Sequence, residues 1–231
     1  LYDYLISNDK SVFLNADDVI QLEKLGSYIK KFGFSENNSQ YYQIKFIGAR
    51  PFVKLKVEDY SIDSQLIGSY NFTNCAAAIL MGKYFNVPLT DIKNAIEDYV
   101  PENNRSQIIN KNGHHIILDA YNANPTSMKA ALENFRNIDA DNKVVFLGDM
   151  FELGNTAIEE HYNIAQLVEK LQFNISFLIG ENFTKTQTEL STFTQFEELS
   201  KFLNANPLPK KSTILIKGSR GMALERVLDL L

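Results

Sequence analysis

The strongest constraint on the fold is a series of short apolar segments that alternate with helix-like segments in the second half of the chain. The segments VVFLG, SFLIG and TILIK are almost continuously apolar. Runs of that kind are typical of strands buried on both faces of a parallel sheet, because helices cover both sides. This half is therefore predicted to be an α/β layer sandwich with a mostly parallel sheet.

The predicted elements follow from hydrophobic period and turn residues. After Pro101, strands are expected at 106–110, 115–119, 143–148, 175–180 and 212–217, and helices at 127–136, 157–171, 195–204 and 222–230. Before it, we expect a strand at 12–14, a helix at 19–25 capped by Asp17 or Asp18, β structure between 27 and 66, and helices at 71–84 and 90–99, the last capped by Thr90. The Pro/Asn-rich segment VPENNRS separates the predicted domains, residues 1–102 and 103–231.

Composition excludes several classes of function. The net charge is −5 over 231 residues, with no basic stripe of the kind that nucleic acids need. No apolar run approaches the roughly 18 residues of a membrane span. Cys75 is the only cysteine, so a disulfide within the chain is excluded. The chain begins LYDYLISN, in the middle of a pattern and without an initiator Met, which indicates a fragment.

Polar clusters follow the predicted strands. They lie at Asp119–Asn124, Gly148–Gly154, Gly180–Asn182 and Lys217–Gly221. Ligands of open parallel sheets bind outside the carboxyl ends of the strands, which share one edge. These clusters are therefore expected to converge on one cleft.

Each candidate has a functional and a structural interpretation. Asp119 suits ribose hydroxyls, or it caps a turn. Tyr121, Asn122 and Asn124 are costly to bury without partners, and an Asn-Pro turn explains only one of the asparagines. The Lys217–Gly221 segment is interpreted as an anion site at the start of a helix, rather than a surface turn.

The remaining candidates are weaker by themselves. Asn71 and Asn74 share one face of a helix start, where they suit a base edge or a phosphate, or where Asn71 caps the helix. Arg105 either reaches a phosphate or is simply exposed. His114 and His115 face opposite sides, and His161 is expected to be a solvated helix residue, so no metal site is predicted.

Two nucleotide motifs are absent from the sequence. There is no G-x-x-x-x-G-K-[ST] phosphate loop, so any main cradle for ATP phosphates lies elsewhere. There is also no G-x-G-x-x-G, which argues against a free-standing dehydrogenase domain.

Together, these motifs resemble the Mur ligase family of peptidoglycan synthesis. In order, they are GSYNFTN at 68–74 with Ala76 and Ala77, NNRSQ at 103–107, DAYNANPTSM at 119–128, LGDMFELG at 147–154 and KGSRGM at 217–222. The resemblance covers essentially the whole chain. It implies that residues 1–102 are the later part of a central P-loop-type ATPase domain. It also implies that residues 103–231 are the C-terminal domain, a Rossmann-like α/β domain with a mostly parallel sheet. The earlier segments would lie upstream, and the fragment is expected to be inactive alone.

The combination of YNANP, GDM-x-ELG and KGSRGM implies the family member that joins D-alanyl-D-alanine to UDP-N-acetylmuramoyl-tripeptide through an acyl phosphate. ATP and Mg²⁺ are then implied, with the Mg²⁺ ligands mostly upstream of this chain. The implied partners are the two substrates, without nucleic acid or a membrane span. The implied full-length protein is cytoplasmic and monomeric.

Site roles are implied residue by residue. Arg105 and Asn122 are the candidate catalytic residues, and no metal ligand is expected here. ATP would contact Asn71, Asn74, Arg105, Asp119, Tyr121 and Asn124, and D-alanyl-D-alanine would contact Asp149, Glu152, Lys217, Ser219 and Arg220. The alternatives are a sibling ligase with another acceptor, and a stand-alone α/β binding module without turnover.

Overall fold

The computed structural model describes all 231 residues, which form two compact units, Leu1–Val100 and Pro101–Leu231. The division falls within the Pro/Asn-rich segment that the sequence marks as a linker. No helix in either unit has both the length and the apolar character that crossing a membrane requires.

The first unit is a five-stranded sheet with helices. Its strands are β1 (Val12–Asn15), β2 (Lys31–Ser35), β3 (Tyr42–Ala49), β4 (Phe52–Val57) and β5 (Tyr60–Ile67). Its helices are α1 (Tyr2–Ser7), α2 (Val19–Leu25), α3 (Asn71–Tyr84) and α4 (Leu89–Asp98). The strands lie in chain order; β1, β2 and β3 are parallel, and β3, β4 and β5 form antiparallel pairs.

Alternating side chains explain the core of this unit. In β4 the residues Val53, Leu55 and Val57 are buried and the lysines between them are exposed, as period-two alternation predicts. Asp18 caps α2, as predicted, because its carboxylate accepts the N–H of Ile20 at 2.9 Å. The predicted cap at Thr90 is wrong: α4 begins one residue earlier, after Pro88, and no side chain caps it. A proline there is already held at a helix-compatible φ.

The second unit contains the predicted mostly parallel sheet. Its strands are β6 (Gln107–Lys111), β7 (His114–Asp119), β8 (Lys143–Gly148), β9 (Ile175–Ile179), β10 (Ser191–Phe193) and β11 (Thr213–Lys217). Its helices are α5 (Pro125–Arg136), α6 (Ala157–Leu171), α7 (Glu181–Thr184) and α8 (Phe196–Ala205). The strand order is β10-β9-β8-β11-β7-β6, and only the β6–β7 pair is antiparallel.

Two elements of this unit differ from the prediction. The strand β10 is only three residues long and too short to show a period in the sequence. The helix expected at 222–230 is instead two 3-10 stretches, Arg220–Met222 and Leu224–Leu230. Ala223, between them, has a left-handed backbone with φ of 48°, which interrupts helical geometry.

Candidate functional site

The carboxyl ends of four parallel strands meet at one edge of the second unit's sheet. Lys217 at the end of β11 pairs in register with Asp119 of β7 on one side and Leu147 of β8 on the other. Gly148 of β8 pairs with Ile179 of β9. The expected convergence of the strand-end clusters is therefore present within this unit.

Lys217 and Asp119 form a buried ion pair at the centre of this edge. The ammonium lies 2.6 Å from Asp119 Oδ2 and also donates to the carbonyl of Asn122 at 3.2 Å. The side chains are only 2% and 14% exposed. The other carboxylate oxygen accepts the N–H of Ser106 at 3.1 Å. Both groups are thus largely used inside the protein, so Lys217 is not the free cation that the sequence suggested.

Tyr121 lies close to two arginines. The guanidinium of Arg105 lies 3.7 Å from the centre of the ring, and that of Arg220 lies 5.3 Å from it. Both arginines are exposed, and neither forms an ion pair with a carboxylate. Arg105 belongs to the linker, whereas Arg220 follows β11. We name Arg105, Tyr121 and Arg220 the arginine–tyrosine cluster, and it offers two unneutralised cations to an anionic ligand.

The same cations act on the Tyr121 phenol. Hydrogen bonding to Arg105 and its charge, followed by the charge of Arg220, lower the pKa of Tyr121 below its usual value of 10.0. The phenolate is the charged form, so a neighbouring cation favours it.

We expect the substitution Arg105→Met to raise the pKa of Tyr121 back toward its usual value. The measurement is a pH titration of ¹³Cζ-labelled tyrosine by NMR, with Tyr121→Phe to assign the signal. Arg226→Met is the matched control, because Arg226 stacks on Phe196 at 4.1 Å. An unchanged Tyr121 midpoint in Arg105→Met would show that the two groups do not interact in solution.

The segment Asp149–Gly154, which we name the 149–154 loop, is bound to the turn after β11. The N–H of Phe151 donates to the hydroxyl of Ser219 at 2.9 Å, and the N–H of Ser219 donates to the carbonyl of Asp149 at 3.2 Å. Ser219 is buried. Its hydroxyl therefore joins two strand-end loops, and its predicted contact with a substrate stays a prediction.

Asp149 also has a structural role. It is only 3% exposed, and its carboxylate accepts the N–H groups of Asn182 and Phe183 at 2.9 and 3.1 Å, which caps α7. A Cβ on Gly180 would lie 2.2 Å from Asp149 Cγ, and Gly180 has φ of +131°, so glycine is required there. Both carboxylate oxygens of Asp149 thus have partners within the protein, and its predicted contact with D-alanyl-D-alanine stays a prediction. Glu152 is exposed, with a left-handed φ of 64°.

The two asparagines after β7 differ in their roles. Asn124 caps α5: its Oδ1 accepts the N–H of Ser127 at 2.8 Å, and the Ser127 hydroxyl accepts the Asn124 N–H at 3.2 Å. This capping box is the structural interpretation, so the predicted ATP contact of Asn124 loses its support. Asn122 is exposed, and only its Oδ1 is used, by the N–H of Ala123 at 2.9 Å. Its amide N–H groups remain available to a ligand.

The predicted pair Asn71 and Asn74 lies on α3 of the first unit. Asn71 is buried, is the first helical residue and not the cap, and donates to the carbonyl of Ile67 at 2.8 Å. Asn74 is exposed and donates to Asn71 Oδ1 at 2.9 Å. Asn74 is therefore the member of the pair that a ligand can reach.

Two interpretations made from the sequence are wrong. No α-helix begins after Lys217, because the following turn is a three-residue 3-10 stretch, so a helix N-terminus cannot form the anion site there. His161 is not solvated: it is 0% exposed and accepts the N–H of Met150 at 2.9 Å. Its position three and four residues before Ile164 and Ala165 places it on the apolar face of α6, a signal that the sequence contains.

Residues 104–220 match the family described as Mur ligase, glutamate ligase domain. The match spans just over half of the 231 residues, so the chain belongs to the Mur ligase family. The family resemblance drawn from the motifs is thereby confirmed.

Within the family, the chain is similar to ligases that act on D-alanyl-D-alanine by name and to MurF crystal structures. The UDP-N-acetylmuramoyl-tripeptide–D-alanyl-D-alanine ligase of Treponema pallidum is 34% identical over 175 residues, which is 72% of this chain and 38% of the relative. A MurF crystal structure from Acinetobacter baumannii has a TM-score of 0.80 at 24% identity and covers 96% of this chain and 51% of its own. MurF ligase from Thermotoga maritima, in complex with ADP, has a TM-score of 0.77 at 17% identity over 96% and 52% of the two chains. At these identities the two structures show the fold, and the chain spans 38% of the Treponema ligase.

Proposed function

We propose that this chain is part of an ATP-dependent ligase that joins D-alanyl-D-alanine to UDP-N-acetylmuramoyl-tripeptide in peptidoglycan synthesis. Support comes from the family membership and from the name of the Treponema relative. The structural observation that carries the proposal is the arginine–tyrosine cluster, since both substrates and ATP bring negative charge.

The reaction is a phosphoryl transfer to a carboxylate, followed by transfer of the acyl group to an amine. The terminal carboxylate of the tripeptide attacks the γ-phosphorus of ATP, and ADP leaves with the bond electrons. The amine of D-alanyl-D-alanine then attacks the acyl phosphate, loses a proton, and inorganic phosphate is released. Such chemistry depends on positioning and on neutralising charge, more than on covalent help from the protein.

Three accessible side chains suit these tasks. Arg105 neutralises the transferred phosphoryl group, and Arg220 binds the carboxylate of the dipeptide. The free amide of Asn122 donates to the same ligands, beside the carbonyl that holds Lys217. Asp119 contributes by fixing Lys217 and the linker, and its side chain, which is 14% exposed, is assigned to a ribose hydroxyl.

Mg²⁺ is the expected companion of ATP, yet the two aspartates at this edge do not fit it. Asp119 is paired with Lys217, and Asp149 accepts two backbone N–H groups. The structure has no group of three potential metal-binding side chains. No step at this edge is therefore assigned to the metal. A cytoplasmic location is part of the same proposal, because ATP and UDP-linked precursors are used there.

The test is phosphate release by the gene product that contains this sequence. We expect release in the presence of ATP, Mg²⁺ and the tripeptide precursor to depend on D-alanyl-D-alanine. D-Glutamate and a diamino acid serve as competing acceptors. Preference for either of them would instead favour a sibling ligase.

Calorimetric titration of the 231-residue chain with D-alanyl-D-alanine and with ATP completes the test. Binding of a ligand by the chain, together with an absence of phosphate release by the whole gene product, would favour the stand-alone binding module. Acceptor-dependent release by the whole gene product would exclude it.

A further inference from the structure

Three successive backbone N–H groups of the 149–154 loop are bound to three different elements. The N–H of Asp149 donates to the carbonyl of Ile179 at 3.0 Å, that of Met150 to His161 Nε2 at 2.9 Å, and that of Phe151 to Ser219 Oγ at 2.9 Å. The middle bond is the only one of the three whose acceptor is an ionisable side chain. The conformation of the loop therefore depends on the state of one imidazole.

The hydrogen bonds of His161 define that state. Nε2 accepts a hydrogen bond from the Met150 N–H, so it carries no proton itself. Nδ1 lies 2.5 Å from the carbonyl of Ala157, which can only accept, so Nδ1 carries the proton. The imidazole is thus neutral. A proton on Nε2 would face the Met150 N–H and remove this bond.

The surroundings hold the ring rigidly in place. His161 is 0% exposed, and its ring packs edge-on against Phe183 with centroids 4.7 Å apart. Asp149 Oδ1 lies 3.4 Å from Nε2, but that oxygen already accepts the N–H of Phe183. The loop is therefore held at two successive residues. The Asp149 carboxylate binds it to α7, and His161 binds Met150 to α6.

We propose that His161 is a positioning residue that acts through Met150. As a neutral imidazole protonated on Nδ1, it holds the 149–154 loop so that Phe151 and Glu152 are presented at the sheet edge. Phe151 is 44% exposed and packs against Gly221, next to Arg220. The consequence for ligand binding rests on the proposed function: the held loop contributes to binding of the dipeptide acceptor.

The structural part is tested by NMR on the 231-residue chain. In ¹⁵N-histidine spectra, His161 should show an unprotonated Nε2 and a protonated Nδ1 at pH 7. His161→Phe keeps an aromatic ring and removes the acceptor, whereas the amide oxygen of His161→Gln can still accept the Met150 N–H. Hydrogen exchange of the Met150 amide should be about tenfold faster in the Phe variant, the size of one lost hydrogen bond, and near normal in the Gln variant.

The control is His115→Gln, because His115 is partly exposed and its side chain is hydrogen-bonded to that of Asn110 at 2.9 Å. It should leave exchange of the Met150 amide unchanged. A protonated Nε2 in the wild-type spectrum, or equal loss of protection in the Phe and Gln variants, would overturn the assignment. The wild-type spectrum decides the tautomer even where the Phe variant does not fold.

The functional part is tested in the whole gene product. We expect His161→Phe to raise the KM for D-alanyl-D-alanine about tenfold while kcat stays within about twofold, and His161→Gln to recover most of the loss. If both variants changed kcat and KM equally, His161 would not act on binding of the dipeptide acceptor in particular. If the wild type shows no dependence on D-alanyl-D-alanine, the proposed function fails, and the NMR result on His161 is unaffected.

Discussion

Replacing Lys217 by methionine is expected to lower the free energy of unfolding of the second unit by about 3–5 kcal/mol, which is the usual cost of removing one partner of a buried ion pair. Lys217 is 2% exposed and lies 2.6 Å from Asp119, whose side chain is 14% exposed. Without the ammonium, this carboxylate keeps only the N–H of Ser106 as a partner. The methionine fills similar space, so the loss reports on charge and not on a cavity.

The measurement is urea unfolding followed through the methyl NMR signals of Ile116 and Ile216, which report on β7 and β11 of this unit. Lys129→Met is the matched control, because Lys129 and Glu133 are exposed and 3.9 Å apart. Exposed pairs contribute between zero and about 1 kcal/mol, so this control should change stability little.

A double-mutant cycle separates the interaction energy of the Lys217–Asp119 pair from the other contacts of each side chain. Adding Asp119→Asn to Lys217→Met removes the unpaired charge, and we expect it to restore most of the lost stability. A loss for Lys217→Met as small as that of the Lys129 control would show that the ion pair is not formed in solution.

The sheet was predictable because its signals are local and repeated. Apolar strands between helices specify a parallel sheet, and a parallel sheet places every strand's carboxyl end at one edge. That step alone places Asp119 and Lys217 at the same edge, although they are 98 residues apart in sequence. Their direct contact also requires that β11 lies next to β7 in register, which the sequence does not predict.

The partners of each polar side chain were less predictable, because they depend on contacts between distant residues. Asp149, Ser219 and Lys217 lie in or next to loops that the sequence marks as polar, yet each is buried and bonded to another part of the protein. Polarity in a loop indicates hydrogen bonds without saying whether a ligand or the protein provides the partner. Arg105 and Arg220 remained available, since no acidic residue lies close enough to pair with them.

Arg105→Ala is expected to lower kcat/KM of the proposed ligase reaction by roughly 100-fold or more, the usual effect of deleting one preorganised group that stabilises developing charge. The reason is geometric as well as electrostatic. The guanidinium is held 3.7 Å from the Tyr121 ring, so its position is fixed before a ligand arrives. Arg105→Lys keeps the charge but loses the planar donors, and it should recover only part of the activity.

Arg220 lies farther from the same ring, at 5.3 Å, and its assigned ligand is the carboxylate of the dipeptide. Arg220→Ala should therefore mainly raise the KM for D-alanyl-D-alanine. The two substitutions should not be additive, because both arginines interact with the Tyr121 ring.

Steady-state phosphate release by the whole gene product measures these effects, and Arg226→Ala is the matched control. Arg226 also stacks on an aromatic ring, that of Phe196, and contacts Glu197 at 3.4 Å. Arg226, like Arg105, is an arginine over an aromatic ring, but it lies outside the arginine–tyrosine cluster. Its removal should therefore leave kcat/KM within about twofold. Equal losses for Arg105→Ala and Arg226→Ala would mean that arginine stacking stabilises the fold in general. Only a loss confined to Arg105 and Arg220 would assign the catalytic anion site to the arginine–tyrosine cluster.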